Sequence, residues 1–155
     1  STMISSAVIS ADGRYRYRLY REWNASLPVV LFVMLNPSTA DDRIDDPTVR
    51  RVIGFAKSWG YGGVYVANLF AFRSTDPKGL LHTADPIGPE NGRHIQELVS
   101  VVDRVVYAWG NGRHEPEWLR EIVREPFCID LGKRNVPKHP LFLPKNSRLI
   151  PFPKK

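Results

Sequence analysis

At 155 residues, with 43% hydrophobic and 25% charged side chains, the chain is sized for one globular domain (1–155) and is not composed like a disordered one. No stretch approaches the ~20 apolar residues of a membrane span, no basic-then-apolar leader is visible, and the single Cys128 excludes an internal disulfide framework; a cytoplasmic protein is expected. The formal charge of +6 sits almost entirely after Asp130, where Lys133, Arg134, Lys138, Lys145, Arg148, Lys154 and Lys155 meet no acid. Such a block either attracts phosphate or serves as a solvated surface.

The first 25 residues read as a β-hairpin: alternating side chains at 7–10 and 15–20 flank the turn residues Ala11-Asp12-Gly13-Arg14. The run 29–35 (VVLFVML) is continuously apolar and ends in Asn36-Pro37, as a strand buried on both faces would. Asp45-Asp46-Pro47 then supplies a helix cap and a first-turn proline, and Val49, Val52, Ile53 and Ala56 share one helical face. Gly60 to Gly63 stop that helix. A second buried strand follows over 64–69, and a Pro-, Gly- and Asp-rich loop fills 73–89.

Pro89 opens another helix, with Ile95, Leu98, Val99 and Val102 on one face. A third strand covers 105–109, broken by Gly110-Asn111-Gly112; a short helix spans 115–123 and a fourth strand 127–131. A basic segment, 132–155, closes the chain. The alternation predicts a three-layer α/β/α domain with a mostly parallel four-stranded sheet, preceded by the N-terminal hairpin. Open parallel sheets bind ligands beyond the carboxyl ends of their strands, which places a site at Asn36-Pro37-Ser38, at 68–76, at 109–113 and after Leu131.

Phosphate-loop, nucleophile-elbow and dinucleotide fingerprints are absent. Four scattered histidines and one cysteine do not form a zinc motif, and no cofactor is expected. Asp41, Asp42, Asp45 and Asp46 lack the calcium-loop glycine and terminal glutamate. Asp45 and Asp46 suit helix capping, whereas Asp41 and Asp42, nearer the strand end, are candidates for a general base or a magnesium contact. Asn36 and Asn68 each end a buried strand. An amide there offers both a donor and an acceptor, which suits the edge of a nucleobase or a held water; a single Asn could equally cap a turn. His139 can donate a proton or hydrogen bond near neutral pH.

The runs 34–41 (MLNPSTAD), 45–51 (DDPTVRR), 67–73 (ANLFAFR) and 138–144 (KHPLFLP) resemble a bacterial and phage family catalogued only as domain of unknown function sixteen forty-three. More distantly, the same landmarks resemble the uracil-DNA glycosylase superfamily. Asn36-Pro37 is similar to the centre of its first-strand motif, with Met34 and Ser38 in place of two glycines. Asn68 stands where some members carry a base-reading asparagine. Gly110-Asn111 after Trp109 is similar to its third-strand turn, and His139-Pro140 to its late motif, with Leu141 where serine is common.

The resemblance implies a uracil-DNA glycosylase-like fold and hydrolysis of an N-glycosidic bond. Asn36 would hold the water with Asp41 or Asp42 as base, Asn68 would read the base, and His139 would stabilise the departing base anion. Pro37, Ser38, Thr39, Phe70, Trp109, Gly110, Asn111 and Lys138 would line the substrate site; Arg73, Ser74 and the basic segment 133–155 would receive phosphate. The expected partner is nucleic acid or a nucleotide, with no membrane. A non-catalytic nucleotide- or nucleic-acid-binding module is the alternative.

Overall fold

The computed structural model describes residues 3–153. Seven strands make one sheet: Ile4–Ile9 (β1), Arg16–Glu22 (β2), Val29–Met34 (β3), Gly63–Asn68 (β4), Arg104–Tyr107 (β5), Phe127–Cys128 (β6) and Ile150–Pro151 (β7), in the order β1-β2-β4-β3-β5-β6-β7. β3 lies at the centre, because a strand without a polar side must be flanked by strands and covered on both faces. Its side chains alternate: Phe32 and Met34 face the helix Pro47–Ser58 (α1), while Leu31 and Val33 face Asn91–Val99 (α2) and Glu117–Ile122 (α3). α1 buries Val49, Val52, Ile53, Phe55 and Ala56; each large side chain among them contributes about 1.5–3 kcal/mol. No helix among the described residues is long and apolar enough to cross a membrane.

The expected mostly parallel four-stranded, uracil-DNA glycosylase-like sheet with a hairpin set in front of it is corrected by this topology. The sheet is seven-stranded and mixed, with three antiparallel pairings (β1–β2, β2–β4, β6–β7) and three parallel ones (β3–β4, β3–β5, β5–β6). The hairpin is no appendage: β2 docks antiparallel on β4, with Leu19 opposite Val66, and so extends the sheet. The physical reason is that β4 would otherwise present an unpaired edge beside a buried core. At the other side the basic segment supplies β7, and Phe152 packs against the Tyr107 ring at 5.1 Å. That segment is therefore folded as far as Phe152; Lys154 and Lys155 lie outside the described residues.

Two arginines of β2 are almost wholly buried. Arg21, 1% exposed, pairs with Asp45 at 2.8 Å and donates to the carbonyls of Asp41, Ile44 and Tyr20. Arg16, 3% exposed, donates from Nη1 to the Ala40 carbonyl at 3.0 Å. The loop between β3 and α1 is thus pinned from beneath by the hairpin. Removing one partner of a buried hydrogen-bonded charge pair leaves the other uncompensated. Arg21→Ala is expected to cost about 3 kcal/mol of unfolding free energy, measured as a lowered urea midpoint; a cost near zero would show that the loop holds itself.

Candidate functional site

β3 and β4 end side by side, and their alternation on the α1 face carries straight into polar residues. Phe32 and Met34 are followed by Asn36, and Val64 and Val66 by Asn68. A cavity of about 230 Å³ opens between these ends and the N-terminus of α1. Met34, Val49, Val52 and Val66 form its apolar part, and Trp109 closes one side. This is smaller than the ~300–1,000 Å³ typical of sites for drug-sized ligands, so it suits a group about one ring system in size.

Among the described residues, Asn68 alone has two buried side-chain polar atoms without a partner. It is 1% exposed, yet neither its Oδ1 nor its Nδ2 has a hydrogen-bond partner. Leaving a buried polar group unpaired costs roughly 1–3 kcal/mol, so the amide calls for a partner in the cavity, a water or a ligand. Its backbone is fixed from the opposite face of the sheet: Asn91 Nδ2, at the start of α2, donates to the carbonyls of Asn68 at 2.8 Å and Leu69 at 3.3 Å. Among the described residues, the fully buried side-chain polar atoms lacking a partner are both of Asn68, Arg16 Nε and Asn91 Oδ1. Two of these residues, Asn68 and Arg16, line this cavity. A larger hollow of about 630 Å³, beside Trp59, Asp103 and Arg104, holds no such atom.

Asn36 donates from Nδ2 to the carbonyls of Ser74 at 2.9 Å and Pro37 at 3.1 Å, which leaves Oδ1 as its free group. Asp46 caps α1, its Oδ1 accepting from the Val49 N–H at 2.8 Å and its Oδ2 from the Ser38 hydroxyl at 3.1 Å. It is the carboxylate among the cavity's lining residues. His139 starts the short turn Pro140–Phe142, and its Nδ1 accepts from the Leu141 N–H at 3.2 Å. An accepting Nδ1 assigns the proton of the neutral ring to Nε2, which makes Nε2 a donor. Burial pushes the imidazole below its ordinary value, with the Asp46 carboxylate opposing. Burial likewise lowers Arg16 to about 10, against the pull of Asp46.

Seven of the residues expected from sequence line the cavity: Asn36, Pro37, Ser38, Asn68, Trp109, Asn111 and His139. The others stand elsewhere. Asp41, expected as a base, accepts from the backbone N–H groups of Arg43 and Ile44 and shapes its own turn, while Asp42 is exposed beside Arg43. Thr39 is exposed. Phe70 lies under the Arg113 guanidinium at 4.6 Å, and Lys138 pairs with Asp130 at 3.0 Å. Arg73 reaches toward the Gly13 carbonyl, and its charge is felt at Arg16 and Asp41. Ser74 serves by accepting from Asn36, and Gly110 by backing His139.

Sequence reasoning missed Arg16 and Asp46 as cavity residues, and Asn91 as the residue that fixes Asn68. Asp46 was legible as a helix cap, and a cap beside a strand end is a site position. Arg16 gave no signal, since an arginine in an alternating hairpin reads as solvent-facing. Among the described residues, no three of the His, Cys, Asp and Glu side chains converge as metal ligands would.

A family model described as "Protein of unknown function (DUF1643)" matches residues 16–141, and the chain belongs to that family. No curated protein and no solved structure matches the chain.

Gly110 has φ +62°, and a Cβ there would lie 3.2 Å from His139 Cβ. Gly110→Ala is expected to cost about 1–2 kcal/mol, the scale of a left-handed non-glycine residue, and to shift the His139 ring resonances in NMR; an unmoved ring would uncouple the two segments. His139 and His94 are both pushed below 6.5 chiefly by burial, so the unfolded chain binds protons more readily than the folded one. Their contribution to stability is complete above pH 6.5 and is lost as the pH falls below it. His139→Gln is expected to flatten the acid limb of a stability–pH profile; an unaltered limb would locate the effect at His94 or at carboxylates.

Proposed function

We propose that the cavity binds a nucleobase and that the protein hydrolyses the N-glycosidic bond of a nucleotide or nucleic acid there. The observation that carries this reading is Asn68: a buried amide with both its donor and its acceptor unused, in a cavity of mixed polar and apolar lining about the size of one ring system. A planar heterocycle with a carbonyl beside an N–H satisfies both atoms at once, whereas a purely apolar ligand would leave the penalty standing.

Chemistry follows from the groups around it. A water oxygen attacks the sugar C1′ as the C1′–N bond breaks, and the bonding electron pair leaves with the base. His139 Nε2–H donates to an oxygen of the departing base, where negative charge develops. Asn36 Oδ1 accepts from the attacking water, and Asp46 takes its proton in place of Asp41 or Asp42. The similarity of Asn36-Pro37, Asn68 and His139-Pro140 to uracil-DNA glycosylase motifs supports the same roles. A polymer substrate is supported by the exposed chain segment that carries His139. Phe142 is 90% exposed three residues after His139, and Lys133, Arg134 and Lys145 are exposed on the same chain segment.

One observation favours the second reading, a binding module without turnover. Both carboxylate oxygens of Asp46 are already hydrogen-bonded, so the cavity lining holds no unengaged carboxylate base. A base-release assay separates the two. Single- and double-stranded DNA carrying uracil, hypoxanthine or modified bases, and the matching nucleotides, are offered to the wild-type protein and its variants. Release is expected to vanish in Asn68→Ala and to fall about 10²–10³-fold in His139→Gln, the scale for one lost donor at developing charge. Asn68-dependent binding without release would establish the module; neither binding nor release would overturn both readings.

A further inference from the structure

The cavity holds a cation that base recognition does not use. Arg16 is 3% exposed and lines the cavity, and its Nε has no partner. Among the described residues no carboxylate comes within ion-pair distance of it; Asp46 acts on it only through space. A guanidinium withdrawn from water is costly unless it is paired and fully hydrogen-bonded. The single bond from Nη1 to the Ala40 carbonyl accounts for pinning the loop, and a neutral donor would do that as well. The charge and the open Nε are left over.

The ligand that removes this cost is an anionic oxygen group. Guanidinium Nε–H and Nη–H together form a fork that matches the oxygens of a phosphate. The N-terminus of α1 opens on the same cavity through Asp46, Thr48 and Val49, and adds a field favourable to negative charge. Asp46 caps that terminus, and its carboxylate, held by Ser38 and the Val49 N–H, offsets part of this field; the unpaired Nε of Arg16 is the donor left for an anion.

We propose that Arg16 is the anion-receiving group of the cavity and that its ligand is a phosphorylated nucleoside, the base at Asn68 and a phosphate at Arg16. This rests on the nucleobase reading for its base and stands apart from it for its phosphate. The phosphate is chemically the same in a free monophosphate and in the backbone of a strand. It is recognised by a residue of the near-neutral part of the chain, not by the basic segment.

The test compares nucleosides, their monophosphates, inorganic phosphate and a short single-stranded oligonucleotide of the same base on the full chain by calorimetry. Wild-type protein is expected to bind the monophosphate at least tenfold more tightly than the nucleoside, and inorganic phosphate is expected to compete with the monophosphate. Arg16→Gln and Arg16→Lys are expected to reduce that preference to less than twofold. The lysine variant keeps the charge and can still bond Ala40, so it answers the objection that loss of the guanidinium merely loosens the loop. The wild-type competition needs no variant at all. Equal affinity for nucleoside and monophosphate, or a preference that survives Arg16→Gln, would overturn the proposal. Asn68-dependent nucleoside binding with no gain from phosphate sinks the anion site and leaves the base site. Arg16-dependent thermal stabilisation by inorganic phosphate without nucleoside binding does the reverse. Whichever of the monophosphate and the oligonucleotide shows the Arg16-dependent gain is the source of the phosphate.

Discussion

Burial of two arginines beneath one loop is the constraint from which the rest of this structure is arranged. Arg16 and Arg21 leave β2 and meet the carbonyls of Ala40, Asp41 and Ile44 and the carboxylate of Asp45. A charged side chain is withdrawn from water only where its donors are met. The loop from Ala40 to Asp45 therefore has little freedom, and Asp46 is delivered at a fixed point to cap α1. The same fixed point is the wall of the cavity. Hairpin, loop, helix start and site wall are one mechanical unit, and the site exists because the hairpin is part of the sheet.

Much of this was legible in the sequence, and the illegible parts share a cause. Strand and helix signals depend on local periodicity, and the apolar run from Val29 and the Val49, Val52, Ile53, Ala56 face are strong periodic patterns. Asn36 and Asn68 stood out because an amide terminates each of two buried strands. What periodicity does not encode is which edge a hairpin joins. β2 pairs with β4 across the 40 residues between Glu22 and Gly63, and nothing local announces it. The parallel-sheet expectation failed on that point. The same blindness hid Arg16, whose surroundings include Ala40 and Asp46, and it hid that the Asp41 carboxylate is taken up by the turn immediately after it.

The charge distribution also divides differently in space than along the chain. The acid-free segment after Asp130 carries the excess, yet Lys138 is paired with Asp130 and the segment's last described residues are built into the sheet and core. The cation at the bottom of the cavity comes from the part of the chain where acids and bases balance. Net charge thus describes the long-range field of the molecule, and the desolvated guanidinium the local field inside the cavity.

The pairing of β2 with β4 has a kinetic consequence. Leu19 meets Val66 only after β3 and α1 have been laid down between them, so the sheet closes through a long loop. Such non-local pairing is slow, because chain entropy is surrendered before the contacts return it. Until then the hairpin carries two arginines with no carbonyls to meet, and keeps them hydrated. Desolvation of Arg16 and Arg21 is coupled to the docking of the hairpin, because the carbonyls that meet them belong to the loop between β3 and α1. The hairpin thus completes the sheet and the cavity wall together.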